Sequence, residues 1–152
     1  MKVPSPKLET ANLNANDEAL LRCKTALEQK DKADSMGAQE TMRPLWKRVG
    51  EPPETNGLNP SVAAEVLLCV GILTSWIGSK NQVRDAQELA KNLITQSITH
   101  FESSSDMTKV AVAKSEIAYC YYREGTLNEA RLSLHDALNK LVFEEPLEQG
   151  QF

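Results

Sequence analysis

Cysteine is scarce in this chain of 152 residues: Cys23, Cys69 and Cys120 are an odd number, far apart, with no C-x-x-C pair. That suggests neither a disulfide framework nor a zinc site of the usual spacing, and leaves reduced, buried thiols as the reading. Aromatic residues make up 5%, too few for an aromatic-rich β-sandwich, while Ala, Leu, Glu and Lys are plentiful and favour helix. There is no Gly-rich phosphate loop, H-E-x-x-H, G-x-S-x-G or acidic calcium loop. His100 and His135 stand alone, without Cys or carboxylate at ligand spacing, and are assigned to helix flanks. The expectation is therefore no enzyme, no cofactor and no metal. No run of about 18 apolar residues exists, and Met1 to Pro6 lacks an apolar export segment, so a cytoplasmic location is expected. A net charge of -4 and a pI near 5.3 argue against a nucleic-acid groove as the main surface, because phosphate binding needs clustered cations, and no membrane partner is expected.

What remains is the composition of one globular domain, 41% hydrophobic and 25% charged, and an all-α reading. Residues 1–15, with two prolines and several asparagines, read as a flexible leader. Residues 16–143 read as a helical domain of three hairpins at about 17–48, 60–102 and 108–143, and residues 144–152, with Pro146 and Gly150, as a loose tail. Asn16 or Asp17 can cap a first helix with Ala19, Leu20, Cys23, Ala26 and Leu27 on one face. Asp34 or Ser35 starts a second, which Pro44 kinks or ends. After a Gly/Pro-rich connector, Asn59 and Pro60 open a third helix that is apolar on most sides and should be central. Gly78 to Asn81 reads as a turn into a fourth helix, and Asp106 or Thr108 caps a fifth.

The most informative stretch is Glu124 to Leu138. Gly125 suits the left-handed residue that ends a helix, and Thr126 with Glu129 fits a capping box for the next. Ala130, Leu134 and Ala137 then share a face at i, i+4, i+7, and the same frame recurs as Ala86, Ala90, Leu93 and as Ala38, Met42, Leu45. The first members lie 48 residues apart (38 to 86) and 44 apart (86 to 130). Small residues of the preceding helices, Cys23, Gly71 and Ala118, recur at 48 (23 to 71) and 47 (71 to 118). One helix pair cannot bury its apolar face alone, so repetition implies stacking over a shared core.

Ile117-Ala118-x-x-Tyr121-x-x-x-Gly125-x-x-x-x-Ala130-x-x-x-Leu134-x-x-Ala137 resembles a tetratricopeptide repeat. Lys114 and Val142 stand where that family carries an aromatic residue and a proline. The longer spacing resembles the looser tetratricopeptide-like arrays of large bacterial signalling regulators, and the resemblance covers residues 17 to 143. It implies a right-handed stack of about three antiparallel hairpins, a solenoid that binds a protein or peptide in a concave groove lined by the first helix of each pair. Carried over by position, the groove residues are Lys24 and Leu27, then Leu68, Ile72 and Trp76, then Tyr119, Tyr122 and Arg123. Leu68 and Ile72 equally suit packing between hairpins, and the aromatics suit either role. Two alternatives stay open. The array is a structural or homo-oligomerising segment meeting another copy through Leu132, Leu138, Leu141 and Phe143, or it is part of a larger bacterial regulator.

Overall fold

A computed structural model describes residues 14–144, with side chains through Leu141. The leader and tail read from the sequence lie outside the described residues, except for Asn14, Ala15 and Glu144. Within them the chain is all-helical: α1 (Ala15–Asp31), α2 (Ser35–Met42), α3 (Pro60–Lys80), α4 (Ala86–Ser103), α5 (Met107–Glu124) and α6 (Leu127–Glu144), with no strand among the described residues. Neighbours in sequence pack as pairs, α1 on α2, α3 on α4 and α5 on α6, while α3 also packs on α1 and α5, and α4 on α5.

Local chemistry sets the boundaries. Asn14 caps α1 by accepting from the Asp17 amide at 2.8 Å, two residues before the cap read from the sequence. Asn16 is otherwise engaged, its side-chain oxygen accepting from the Asn59 amide at 2.8 Å. Asp34 caps α2 through the Gly37 amide, and Asp106 caps α5 through the Lys109 amide. The helix before Pro44 ends at Met42 although Arg43 keeps helical geometry (φ -53°, ψ -39°), so the stop comes not from a strained Arg43 but from the N–H that proline lacks for the Glu40 carbonyl. Pro60 occupies the first turn of α3, where its missing N–H costs nothing.

Four of the connections close in one way. A residue one or two positions past each helix sits in the left-handed region (Ala33 φ 60°, Gln82 φ 53°, Ser105 φ 60°, Gly125 φ 82°). The next amide then bonds five residues back: Asp34 to Gln29, Val83 to Gly78, Asp106 to Phe101 and Thr126 to Tyr121, each at 2.8 or 2.9 Å. This is the Schellman closure. In three of the four turns the residue after the left-handed one immediately precedes the next helix, which makes the reversals tight. At the last, the Thr126 hydroxyl donates to the Tyr121 carbonyl at 2.9 Å, reinforcing the end of α5 in place of the capping box expected with Glu129.

Two apolar cores result, and α3 feeds both. One face, with Val62, Val66, Cys69, Val70, Leu73 and Ile77, meets Ala19, Cys23 and Ala26 of α1 and Ala38 and Met42 of α2. The other, with Ala64, Leu68 and Ile72, meets Ala90, Ile94, Ile98 and Phe101 of α4 and Val110, Ala113 and Cys120 of α5. That double burial explains why α3 is apolar all round. By length and composition it could cross a membrane, yet 72% of that apolar window is buried inside the fold. Gly78, read as a turn residue, is helical and buried: a Cβ there would collide with that of Ala86, so glycine is what lets α4 start against α3. Trp46, which the sequence reading passed over, is 2% exposed. Its indole N–H donates to the Glu51 carbonyl at 3.0 Å, and the Glu54 amide returns to Leu45 at 2.7 Å, folding the connector back on the first hairpin.

Candidate functional site

The small-residue frame lies inside as its spacing requires. Ala38, Ala86 and Ala130 are buried, and so are Cys23, Gly71 and Ala118. A Cβ on Gly71 would stand 2.6 Å from Ile94 Cγ1 and 3.2 Å from the Ala90 carbonyl, so α3 and α4 are in backbone-close contact there. The eight groove residues divide. Leu68 and Ile72 are buried in the second core and pack it, offering no surface. Leu27, half-buried, packs against both cores. Trp76, also half-buried, has Lys80 Nζ 4.9 Å and Lys30 Nζ 5.9 Å from its ring centroid, placing both cations within cation–π range. Lys24 is exposed.

Arg123 is a clamp. Its Nη1 donates to Ser75 Oγ at 2.7 Å, Ser75 Oγ donates to Gln87 Oε1 at 2.6 Å, and Gln87 Nε2 donates back to the Ser75 carbonyl at 2.9 Å. One buried hydroxyl thereby ties α3, α4 and α5 together. The guanidinium also lies 5.5 Å from the Tyr119 ring. Nearby, burial pushes the Glu116 carboxyl above its ordinary value, Lys30 and Arg123 partly oppose that, and Asp31 adds to it. Burial likewise raises the Cys120 thiol. The Cys69 thiol is raised by its hydrogen bond with Cys23 and by burial. All three cysteines are free and buried, the environment of inert rather than reactive thiols. His100 packs edge-on against Phe101, with ring centroids 5.8 Å apart. Among the described residues, no three His, Cys, Asp or Glu side chains gather as a metal set would.

The open apolar surface is elsewhere, on the last hairpin. Tyr119 is 51% exposed, Tyr122 64%, Leu127 61%, Leu134 45% and Leu138 60%. On α6 the stripe Leu127, Leu134, Leu138, Leu141 keeps within a narrow arc at helical spacing, and Tyr119 and Tyr122 of α5 flank it. Between them runs a groove of about 410 Å³ lined by Tyr122, Leu127, Ala130, Arg131, Leu134, His135 and Leu138. A recess of about 170 Å³, lined by Ala118, Tyr119, Tyr122, Ala130 and Leu134, adjoins it. Sequence spacing had placed Leu134 inward with Ala130 and Ala137. The two alanines are buried and Leu134 is not. Of the residues read as an oligomer contact, Leu132, Leu138 and Leu141 are exposed, while the side chain of Phe143 lies outside the described residues. No protein-family model, curated protein or solved structure matches this chain.

Proposed function

We propose that this chain is a non-enzymatic interaction module, a tetratricopeptide-like stack of three helix pairs that docks a protein partner on the open face of α5 and α6. One observation carries the reading: five large apolar side chains, Tyr119, Tyr122, Leu127, Leu134 and Leu138, are each 45% or more exposed around one groove and the recess that adjoins it. Contiguous exposed apolar surface of this kind marks interaction sites, and tyrosine is among the residues that dominate them. The first-helix groove is a poorer candidate. Leu68 and Ile72 are under α5, Trp76 is flanked by two lysines, and Arg123 is held by Ser75. A cytoplasmic setting suits three reduced thiols.

The test is a peptide-display selection against the full chain, repeated with Leu138→Asp/Tyr122→Ser. Both positions are solvent-exposed, so circular dichroism should show an unchanged fold. Ligands that bind the parent and lose at least tenfold in affinity for the variant are expected. Ligands indifferent to the variant would remove the face from the account. The oligomerisation alternative draws on the exposure of Leu132 and Leu138, 57% and 60%. Light scattering decides it, a monomer at high concentration counting against it.

A further inference from the structure

We propose that the α5–α6 face receives an amphipathic α-helix with apolar side chains at i, i+3, i+7 and i+10 and acidic flanks. This rests on the face being a protein interface, and it names the kind of partner. The argument is internal to the molecule. With Gly71 set against Ala118, the α3 residues Val66, Val70 and Leu73 stand in the same register as the α5 residues Ala113, Ile117 and Cys120. The α3 set is buried in the core shared with α1 and α2. In the α5 set, Ala113 and Cys120 are buried in the core shared with α3 and α4, and Ile117 packs against it. Each of the first two hairpins is thus covered by the next first helix, through side chains at equivalent positions.

The surface that α5 covers includes Ile72 of α3 and Ala90 and Ile94 of α4, all buried. With Ala86 set against Ala130, their counterparts on the last hairpin are Tyr119, Leu134 and Leu138, which are exposed. The last hairpin therefore repeats the seat on which α5 lies, and a helix of the α5 type is what such a seat fits. Three turns would span about 15 Å.

Charge narrows the occupant. The groove lining holds one cation, Arg131, and no carboxylate, which favours acidic residues beside the partner's apolar stripe. A second copy fits less well. Two-fold pairing of this face would bring together two grooves that each carry Arg131 and no carboxylate in the lining. Head-to-tail docking would offer α1, whose residues in register with Val110, Ala113, Ile117 and Cys120 are Ala15, Glu18, Arg22 and Thr25. That face is polar, and Arg22 is already bound to Glu18 and to the Thr41 carbonyl, each at 2.9 Å.

The probe is a fluorescein-labelled synthetic helix with Leu and Ile at i, i+3, i+7, i+10 and Glu at the flanks, beside a twin with Lys at the flanks. Anisotropy against the full chain should show the Glu peptide binding roughly threefold or more tighter at low salt, the gap closing as salt rises. Leu138→Asp should weaken both at least tenfold. A Lys twin that binds equally or better, binding unaffected by Leu138→Asp, no binding of either helix, or a dimer that buries the face would each overturn the inference. Display ligands that depend on the face but are non-helical or basic would overturn it while leaving the proposed function standing. Display with no face-dependent ligand would remove both.

Discussion

Arg123 illustrates what a single residue hides. From the sequence it is a cation beside tyrosines, free for a partner's carboxylate. In the fold it is held by Ser75 and Tyr119, because the packing of α3 against α5 brings Ser75 to it, which no local sequence signal shows. Its neighbour Glu116 makes a sharper prediction. Burial raises its folded pKa above the ordinary 4.5, so the folded state binds this proton more tightly than the unfolded chain. Its contribution is fully present below 4.5 and is lost as pH rises through the raised folded value. Glu116→Gln should therefore raise the melting temperature at pH 7 and leave it unchanged well below pH 4.5, as thermal melts would show. Asp136 runs the other way. The Lys114 hydrogen bond at 2.6 Å lowers its pKa from 3.8, giving stability present above that value and lost as pH falls through the folded one. With the carboxylate 47% exposed, screening keeps that contribution small.

At the scale of the element, the turns carry the consequence. Of the four left-handed closures only Gly125 uses glycine, and Ala33, Gln82 and Ser105 carry a Cβ where it costs about 1 kcal/mol. Ser105→Gly or Ala33→Gly should raise the melting temperature by about 2 to 4 °C, and Gly125→Ala should lower it similarly. Calorimetry checks both signs. Gly78→Ala should cost about 1 to 3 kcal/mol despite alanine's better helix propensity, because its methyl meets the methyl of Ala86 and neither can rotate away. Helix existence was legible throughout, since Pro60, Asp34, Asp106 and Gly125 are local signals acting locally. Gly78 misled because a glycine near a helix end looks like punctuation, and only the α4 backbone reveals that it is a contact. The α1 cap was missed because Asn14, Asn16 and Asp17 are chemically alike, and the choice depends on Asn59, distant in sequence.

For the molecule as a whole, the recurrence of small residues revealed that helices approach closely and at which positions. It did not reveal which faces stay open, since that depends on whether another helix follows. Ile94 and Leu138 hold equivalent positions in successive hairpins, one fully buried and the other 60% exposed. Ile94→Ala should cost about 2 to 5 kcal/mol, whereas Leu138→Ala should stay within about 0.5 kcal/mol, as urea unfolding would measure. The groove residues divided for the same reason: Leu68 and Ile72 have α5 over them, while Tyr119 has no described helix over it.

The most direct test is amide hydrogen exchange of the full chain with and without a display-selected ligand. The account predicts added protection over Tyr119–Gly125 and Leu127–Leu138, with α1 and α3 unchanged. Protection centred instead on Lys24, Leu27 and Trp76, with α6 unaffected, would contradict it.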